Sequence, residues 1–193
     1  MKDRPMSEKK SDVMTIPGLA GKSVYLRPAT AEDVANTYHW FLLSDPALQS
    51  CRPQPFRTAA EASEAYKKKE CTADEQLFVI VGVKENVPVG IIRYFQWNNL
   101  NRSCELGLLI DPDHRRKGYG AEAIRVLTRW LYRTRDLNKT YANTSSLNKA
   151  AVGLLEKAGF KRDGVLRHHY YYDGELRDGY LYSLLRYECD WSA

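Results

Sequence analysis

The sequence predicts an α/β protein of the α+β kind: a single mixed, largely antiparallel twisted sheet of about seven strands flanked by about four helices. Three observations lead there. Three strand-like runs, 76–84, 89–97 and 103–110, are joined only by the turn-forming stretches ENVP and NNLN, which makes them an antiparallel meander. Two amphipathic helical stretches then alternate with a short strand-like run. Finally, Asp173-Gly174 links two further strand-like runs, a strong hairpin signal.

Each element follows from local chemistry. SVYLRP, Ser23 to Pro28, reads as a first strand. Thr30 and Asp33 have the spacing of a capping box ahead of a helix over Ala31 to Leu43, which Asp45-Pro46 breaks. Thr58 and Glu61 open a second helix, expected over Ala59 to Cys71. After the meander, a helix from Tyr119 to Arg135 places Ala123, Ile124, Leu127, Trp130 and Leu131 on one face, with Arg125, Arg129 and Arg133 on the other. KTYANT is a short strand. The helix from Asn148 to Ala158 turns Ala151, Leu155 and Ala158 inward and ends at Gly159-Phe160, the pattern of a left-handed glycine cap with an apolar residue folding back. Strands over Val165 to Tyr172 and Glu175 to Tyr187 close the fold.

Composition narrows the function. The chain has 193 residues, 44% of them hydrophobic and 27% charged, which suits one soluble domain. Residues 1–20 are expected to form a flexible N-terminal segment and 21–193 a single domain. The net charge of +5 fits an anionic ligand but is too small to argue for nucleic acid, and the basic residues concentrate in one turn with no aromatic–basic interleaving. The apolar runs Leu77 to Val83 and Leu106 to Ile110 fall far short of the ~20 residues a membrane helix needs. Cys51, Cys71, Cys104 and Cys189 lack the spacing of a zinc knuckle or redox pair and read as free thiols. With a polar N-terminus, this predicts a cytoplasmic protein. His168 and His169 are strand neighbours pointing to opposite faces, so no metal is expected.

The stretch DPDHRRKGYGAEA, Asp111 to Ala123, carries the strongest chemical signal. A basic turn ahead of a helix can be mere solvated surface. Gly118-x-Gly120-x-x-Ala123 also fits a dinucleotide fingerprint, but Asp111 to Lys117 separate it from the strand, and the next strand closes on Thr144 instead of an acid. GLAGKS, Gly18 to Ser23, is a false P-loop, since Ile16 stands where a glycine is required. The third explanation is a pyrophosphate cradle. A helix start exposes unpaired N–H groups and a partial positive charge. Amides from Arg116 to Gly120, Tyr119 included, can wrap a diphosphate, glycines at 118 and 120 admit its oxygens, and Arg115, Arg116 and Lys117 add charge.

These residues resemble a known family. Arg115-Arg116-Lys117-Gly118-Tyr119-Gly120 is similar to the R/Q-x-x-G-x-G/A signature of the GCN5-related N-acetyltransferases. Asn148 to Phe160, with LLEKAGF, resembles a second hallmark, and VYLRPATAEDV the family's first strand and helix. The resemblance spans about Lys22 to Glu188 and implies acetyl-CoA as co-substrate, with direct attack by a primary amine and no cysteine nucleophile. It further implies that the fourth and fifth strands part around a bulge, where backbone groups of Leu108, Leu109 and Ile110 pair with the pantetheine arm and one N–H holds the developing oxyanion. By the same resemblance Glu105 is a candidate general base, and Asn148, with Asn143 as a weaker candidate, contacts the cofactor arm.

The sequence also departs from that pattern. Leu155 stands where relatives carry a tyrosine that reprotonates the thiolate, and Ala151 where many carry serine. This leaves a CoA-binding regulatory or assembly module without turnover as the alternative. Tyr170, Tyr171 and Tyr172 are substitute donors or plain sheet packing. The branch resembled takes protein N-termini, polyamines or amino sugars. Glu61, Glu64, Glu70, Asp74 and Glu75 either attract such a cation or form a solvated face, and the tyrosine-rich hairpin offers a surface for a homodimer.

Overall fold

The computed structural model describes residues 16–45, 48, 55–69 and 72–191. Within them the chain runs β1 (Val24–Pro28), α1 (Ala31–Leu42), α2 (Ala59–Lys67), β2 (Gln76–Gly82), β3 (Pro88–Asn98), β4 (Ser103–Ile110), α3 (Tyr119–Thr134), β5 (Lys139–Ser145), α4 (Lys149–Lys157), β6 (Lys161–Tyr172) and β7 (Glu175–Leu185). All seven strands form one sheet in the order β1-β2-β3-β4-β5-β7-β6. Every pairing is antiparallel except β4 with β5, which are parallel because α3 crosses between them. This is the mixed, largely antiparallel sheet that the sequence predicts.

The local signals act as expected. Thr30 and Asp33 form a reciprocal capping box, as do Thr58 and Glu61. Burial alone would raise the Asp33 carboxyl, but hydrogen bonds from Arg27 and Thr30 outweigh it and hold Asp33 below the usual carboxylate range. Gly159 takes φ +96, its N–H donates to the Glu156 carbonyl, and the Phe160 N–H reaches the Leu155 carbonyl, both at 3.0 Å. Asp173 and Gly174 both have positive φ, as a type I′ hairpin requires.

Several boundaries differ from expectation: β6 begins at Lys161 instead of Val165, and β7 ends at Leu185 instead of Tyr187. Helix α2 ends at Lys67 instead of Cys71, because the run after Tyr66 is charged and has nothing to bury. Strand β2 ends at Gly82, where the Asn86 N–H closes a turn onto the Gly82 carbonyl. Within the first twenty residues, Leu19 is fully buried and its carbonyl accepts from the Leu26 N–H. Residues 1–15, Cys51, Glu70 and Cys71 lie outside the described residues.

The sheet has two unlike faces. One carries Val24, Leu26, Phe78, Ile80, Ile92, Cys104 and Leu106, packed under Ile124, Leu127 and Leu131 of α3. Fully buried Tyr132 ties α3 to the sheet: its hydroxyl donates to the Leu184 carbonyl and accepts from the Thr140 N–H at 2.9 Å. The other face carries Tyr25, Val79 and Val81. Cross-strand register places Leu109, Gly107 and Glu105 on that second face, the side on which α1 and α2 pack together and α1 touches β4.

Candidate active site

The parallel pairing of β4 and β5 covers only Ser103 with Lys139, Cys104 with Thr140 and Glu105 with Tyr141. Beyond Glu105 the strands part, so Leu106 to Ile110 meet β3 along one edge and no strand ladder along the other. The bulge expected at this point lies elsewhere. It is in β3, where Gln96 and Trp97 interrupt the register between Phe95 opposite Glu105 and Asn98 opposite Ser103, and Gln96 takes φ +54.

The gap leads to the start of α3. Asp111 fixes the connecting turn by accepting from the Asp113 N–H and holding His114 Nδ1 at 2.7 Å. Arg116 and Gly118 then take φ +63 and +89. Gly118 is the N-cap and gives no side-chain cap, so the first amides of α3 are left for another acceptor. A Cβ added at Gly118 would meet nothing within 4 Å, so there is room for an anion there.

Gly120 has a packing reason beside the one expected. A Cβ there would lie 3.0 Å from Leu154 Cδ1 and 3.3 Å from Ile110 Cγ1. Its small size therefore lets α3 approach α4 and β4. Tyr119 is buried, its hydroxyl 3.3 Å from Glu85 Oε2, so only its backbone is left for the expected cradle. Arg115 caps the end of β4 with a bond from Nε to the Ile110 carbonyl and reaches Ser44 Oγ at the end of α1. Arg116 and Lys117 are exposed.

Glu105 marks the point where the strands part. It is 7% exposed, and Asn143 Nδ2 on β5 donates to its Oε1 at 3.3 Å. The structure thus brings Asn143 to Glu105, a partnership that no local spacing predicts. Asn148 is the N-cap of α4, and its side-chain oxygen accepts from the Ala151 N–H at 3.0 Å. Leu155 is buried in the main core. Among the hairpin tyrosines, Tyr172 donates to Asp45 at 2.5 Å, Tyr170 packs its ring against His169, and Tyr171 is exposed. Burial pushes the Cys104 thiol up to about 12, and it sits on the face opposite Glu105, so it is no nucleophile at neutral pH.

Further features went unread in the sequence. Arg93 lies over the Phe95 ring at 4.2 Å, beside Glu105, and Gly107 leaves room for that stack. A cleft of about 580 Å³ opens on the Glu105 side of the sheet, near the β3–β4 turn. Each depends on cross-strand neighbours, which no local spacing reveals. A second hollow, lined by Val165 to His169 alone, lies on the outer strand away from the gap. Among the described residues no His, Cys, Asp and Glu grouping could hold a metal, and no helix is long and apolar enough to cross a membrane.

Comparisons with known proteins identify the family and match the fold. The model of the GNAT acetyltransferase domain matches residues 23–161. The spermidine N(1)-acetyltransferase of Vibrio cholerae is 27% identical over 125 residues, 65% of this chain and 72% of that protein. The Escherichia coli K12 enzyme of the same name is 25% identical over 156 residues, 81% of this chain and 82% of its own. A crystal structure of the Vibrio cholerae spermidine N-acetyltransferase with CoA and spermine superposes with a TM-score of 0.78 at 22% identity, covering 87% of this chain and 98% of that one. The chain belongs to the GNAT acetyltransferase family.

Proposed function

We propose that this protein is an N-acetyltransferase that passes the acetyl group of acetyl-CoA to a primary amine by direct attack, with both reactants held together. The observation that carries this is the parting of β4 from β5 at a buried carboxylate, with the gap running to an uncapped, glycine-opened helix start. Acetyl-CoA, when bound, supplies an activated acyl carbon and a thiolate leaving group.

The chain's own residues supply the rest. Amides from Arg116 to Gly120 bind the diphosphate, with Arg115, Arg116 and Lys117 as counter-charge. The β4 edge at Leu108, Leu109 and Ile110 orients the arm as an added strand would, and a backbone N–H there steadies the oxyanion. Asn148 contacts the arm through its amide nitrogen, since the helix cap uses the oxygen. Glu105 takes the proton that the amine must lose as the C–N bond forms and the C–S bond breaks, and Asn143 holds the carboxylate in place. No tyrosine occupies position 155, and an ordinary thiol pKa of about 8.5 lets the thiolate depart unprotonated near neutrality. The named relatives put spermidine first among acceptors to assay.

Two measurements test this. Calorimetric titration with acetyl-CoA should show binding that weakens about tenfold in an Arg116→Ala, Lys117→Ala double variant, as two lost charge-assisted contacts imply. Glu105→Gln should cut kcat by about 100-fold at neutral pH and recover toward high pH, where the amine sheds its proton unaided. Absence of acetyl-CoA binding sinks the proposal. An unchanged pH response would remove Glu105 from the base role.

A further inference from the structure

The sheet is two pieces joined at a narrow neck. Strands β1 to β4 form one half and β5, β7 and β6 the other, and the ladder between them runs only from Ser103–Lys139 to Glu105–Tyr141. Because β4 and β5 are parallel, their last residues, Ile110 and Ser145, stand on the two lips of the gap at its open end. The far lip is longer. Strand β7 pairs with β5 as far as Gly179 opposite Ser145, and Glu175 to Asp178 continue past it toward the hairpin turn. At the usual rise per strand residue, the hairpin tip projects roughly 13 Å beyond the end of β5.

A second bulge bends this projection. Arg167, His168 and His169 fall between the paired residues Leu166 and Tyr170 of β6. His168 takes φ +48, and its N–H goes to Asp178 Oδ1 at 2.9 Å in place of a ladder partner. Beyond the bulge, strand alternation divides the tyrosines. Tyr171 is 74% exposed on one face, whereas Tyr172 turns to the other, where its hydroxyl donates to Asp45 Oδ2 at 2.5 Å.

Asp45 is tied to the near lip. Arg115 Nε holds the Ile110 carbonyl at the end of β4 at 3.3 Å, and its Nη2 donates to Ser44 Oγ at 2.5 Å. Ser44 in turn donates to the carbonyl of buried Trp40 in α1. Asp45 itself takes φ +50, a left-handed conformation that aspartate tolerates, and its Oδ1 accepts from the Leu48 N–H at 3.2 Å. That leaves Oδ2 for Tyr172. The carboxylate raises the Tyr172 phenol above its usual range, so the bonding proton stays in place. A run of hydrogen bonds therefore crosses the open end of the gap, from Ile110 through Arg115 and Ser44–Asp45 to Tyr172. A cofactor arm between β4 and β5, with its diphosphate at the start of α3, leaves the gap through this end. Arg115 Nη1, which neither bond uses, is left for a phosphate, so one guanidinium can hold the diphosphate and Ser44 together and firm the near end of the run.

We infer that Asp45 and Tyr172 form a latch across the mouth of the gap, which retains the cofactor once Arg115 has met its diphosphate; this rests on the acetyl-CoA binding proposed above. A contact that closes after encounter shows in dissociation more than in association. The test uses the full chain, loaded with tritiated acetyl-CoA and chased with excess unlabelled acetyl-CoA, with association rates and thermal midpoints measured alongside. Tyr172→Phe, which keeps the ring and loses the donor, should release acetyl-CoA about tenfold faster, with association changed by less than about twofold and the midpoint unchanged. Asp45→Asn keeps the left-handed backbone and a neutral acceptor, so its release should quicken by only about threefold. Added to Tyr172→Phe it should quicken release no further, since both changes remove one contact. Tyr171→Phe, on the other face of the same strand, should release at the wild-type rate. Wild-type release from Tyr172→Phe, additive effects in the double variant, or equally fast release from Tyr171→Phe would each overturn the latch while leaving acetyl-CoA binding standing. Failure of the wild-type chain to bind acetyl-CoA by calorimetry would overturn both.

Discussion

Replacing Asn143 by alanine isolates the contact that joins β5 to the candidate base. The Asn143 amide donates to Glu105 Oε1 at 3.3 Å, and Glu105 is 7% exposed, so water replaces the lost donor poorly. A hydrogen bond to a charged group contributes about 1.5–3 kcal/mol, and the long separation argues for the lower end, about 1.5 kcal/mol. At about 1.36 kcal/mol per pH unit, this corresponds to roughly one unit. The sign follows from which form the donor favours. An N–H donor stabilises the carboxylate over the carboxylic acid, so its removal delays ionisation to higher pH. The acidic limb of the kcat/KM profile should therefore move up by about one unit, with a rate loss near tenfold below the limb and little change on the plateau. The assay is thiol release from about pH 5 to 9, with acetyl-CoA affinity measured in parallel. Asn143→Asp, which places a second negative charge at the same point, should move the limb further. An unmoved limb, with acetyl-CoA affinity intact, would refute the link between Glu105 and the proton transfer.

Two other outcomes are expected. Gly120→Val should lower stability by about 1–3 kcal/mol as well as weaken cofactor binding, since its side chain would press on Leu154 and Ile110; a denaturant midpoint equal to wild type would contradict the packing argument. Asp33, held below the usual carboxylate range, contributes stability that is present above the unfolded carboxylate pKa and lost as pH falls through the lower folded value; Asp33→Asn should flatten that acid limb of thermal stability, and an identical limb would assign it to other groups.

Much of the site was legible because its rules are local. The proposed cradle at Arg115 to Gly120 depends on a strand end, a turn and a helix start within a dozen or so consecutive residues, and both capping boxes depend on a three-residue spacing. Gly120 shows the limit. The sequence marks a glycine near a helix start, but only the positions of Leu154 and Ile110 reveal that it serves packing between three elements. The bulge shows it as well: a parting of strands was expected with it, yet the extra residue belongs to β3, because register is a property of two strands together.

The sequence alone determined the strands, the caps, the hairpin turn and the glycine-opened start of α3, because hydrophobic period, side-chain caps and glycine's freedom at positive φ act over a few bonds. Tertiary structure decided that β4 and β5 part at Glu105, that Asn143 reaches it from 38 residues away, and that carboxamides from the β3–β4 turn meet Lys139 across the sheet. Those meetings follow from strand order and cross-strand register, which the burial of two whole sheet faces selects among many pairings of the same strands.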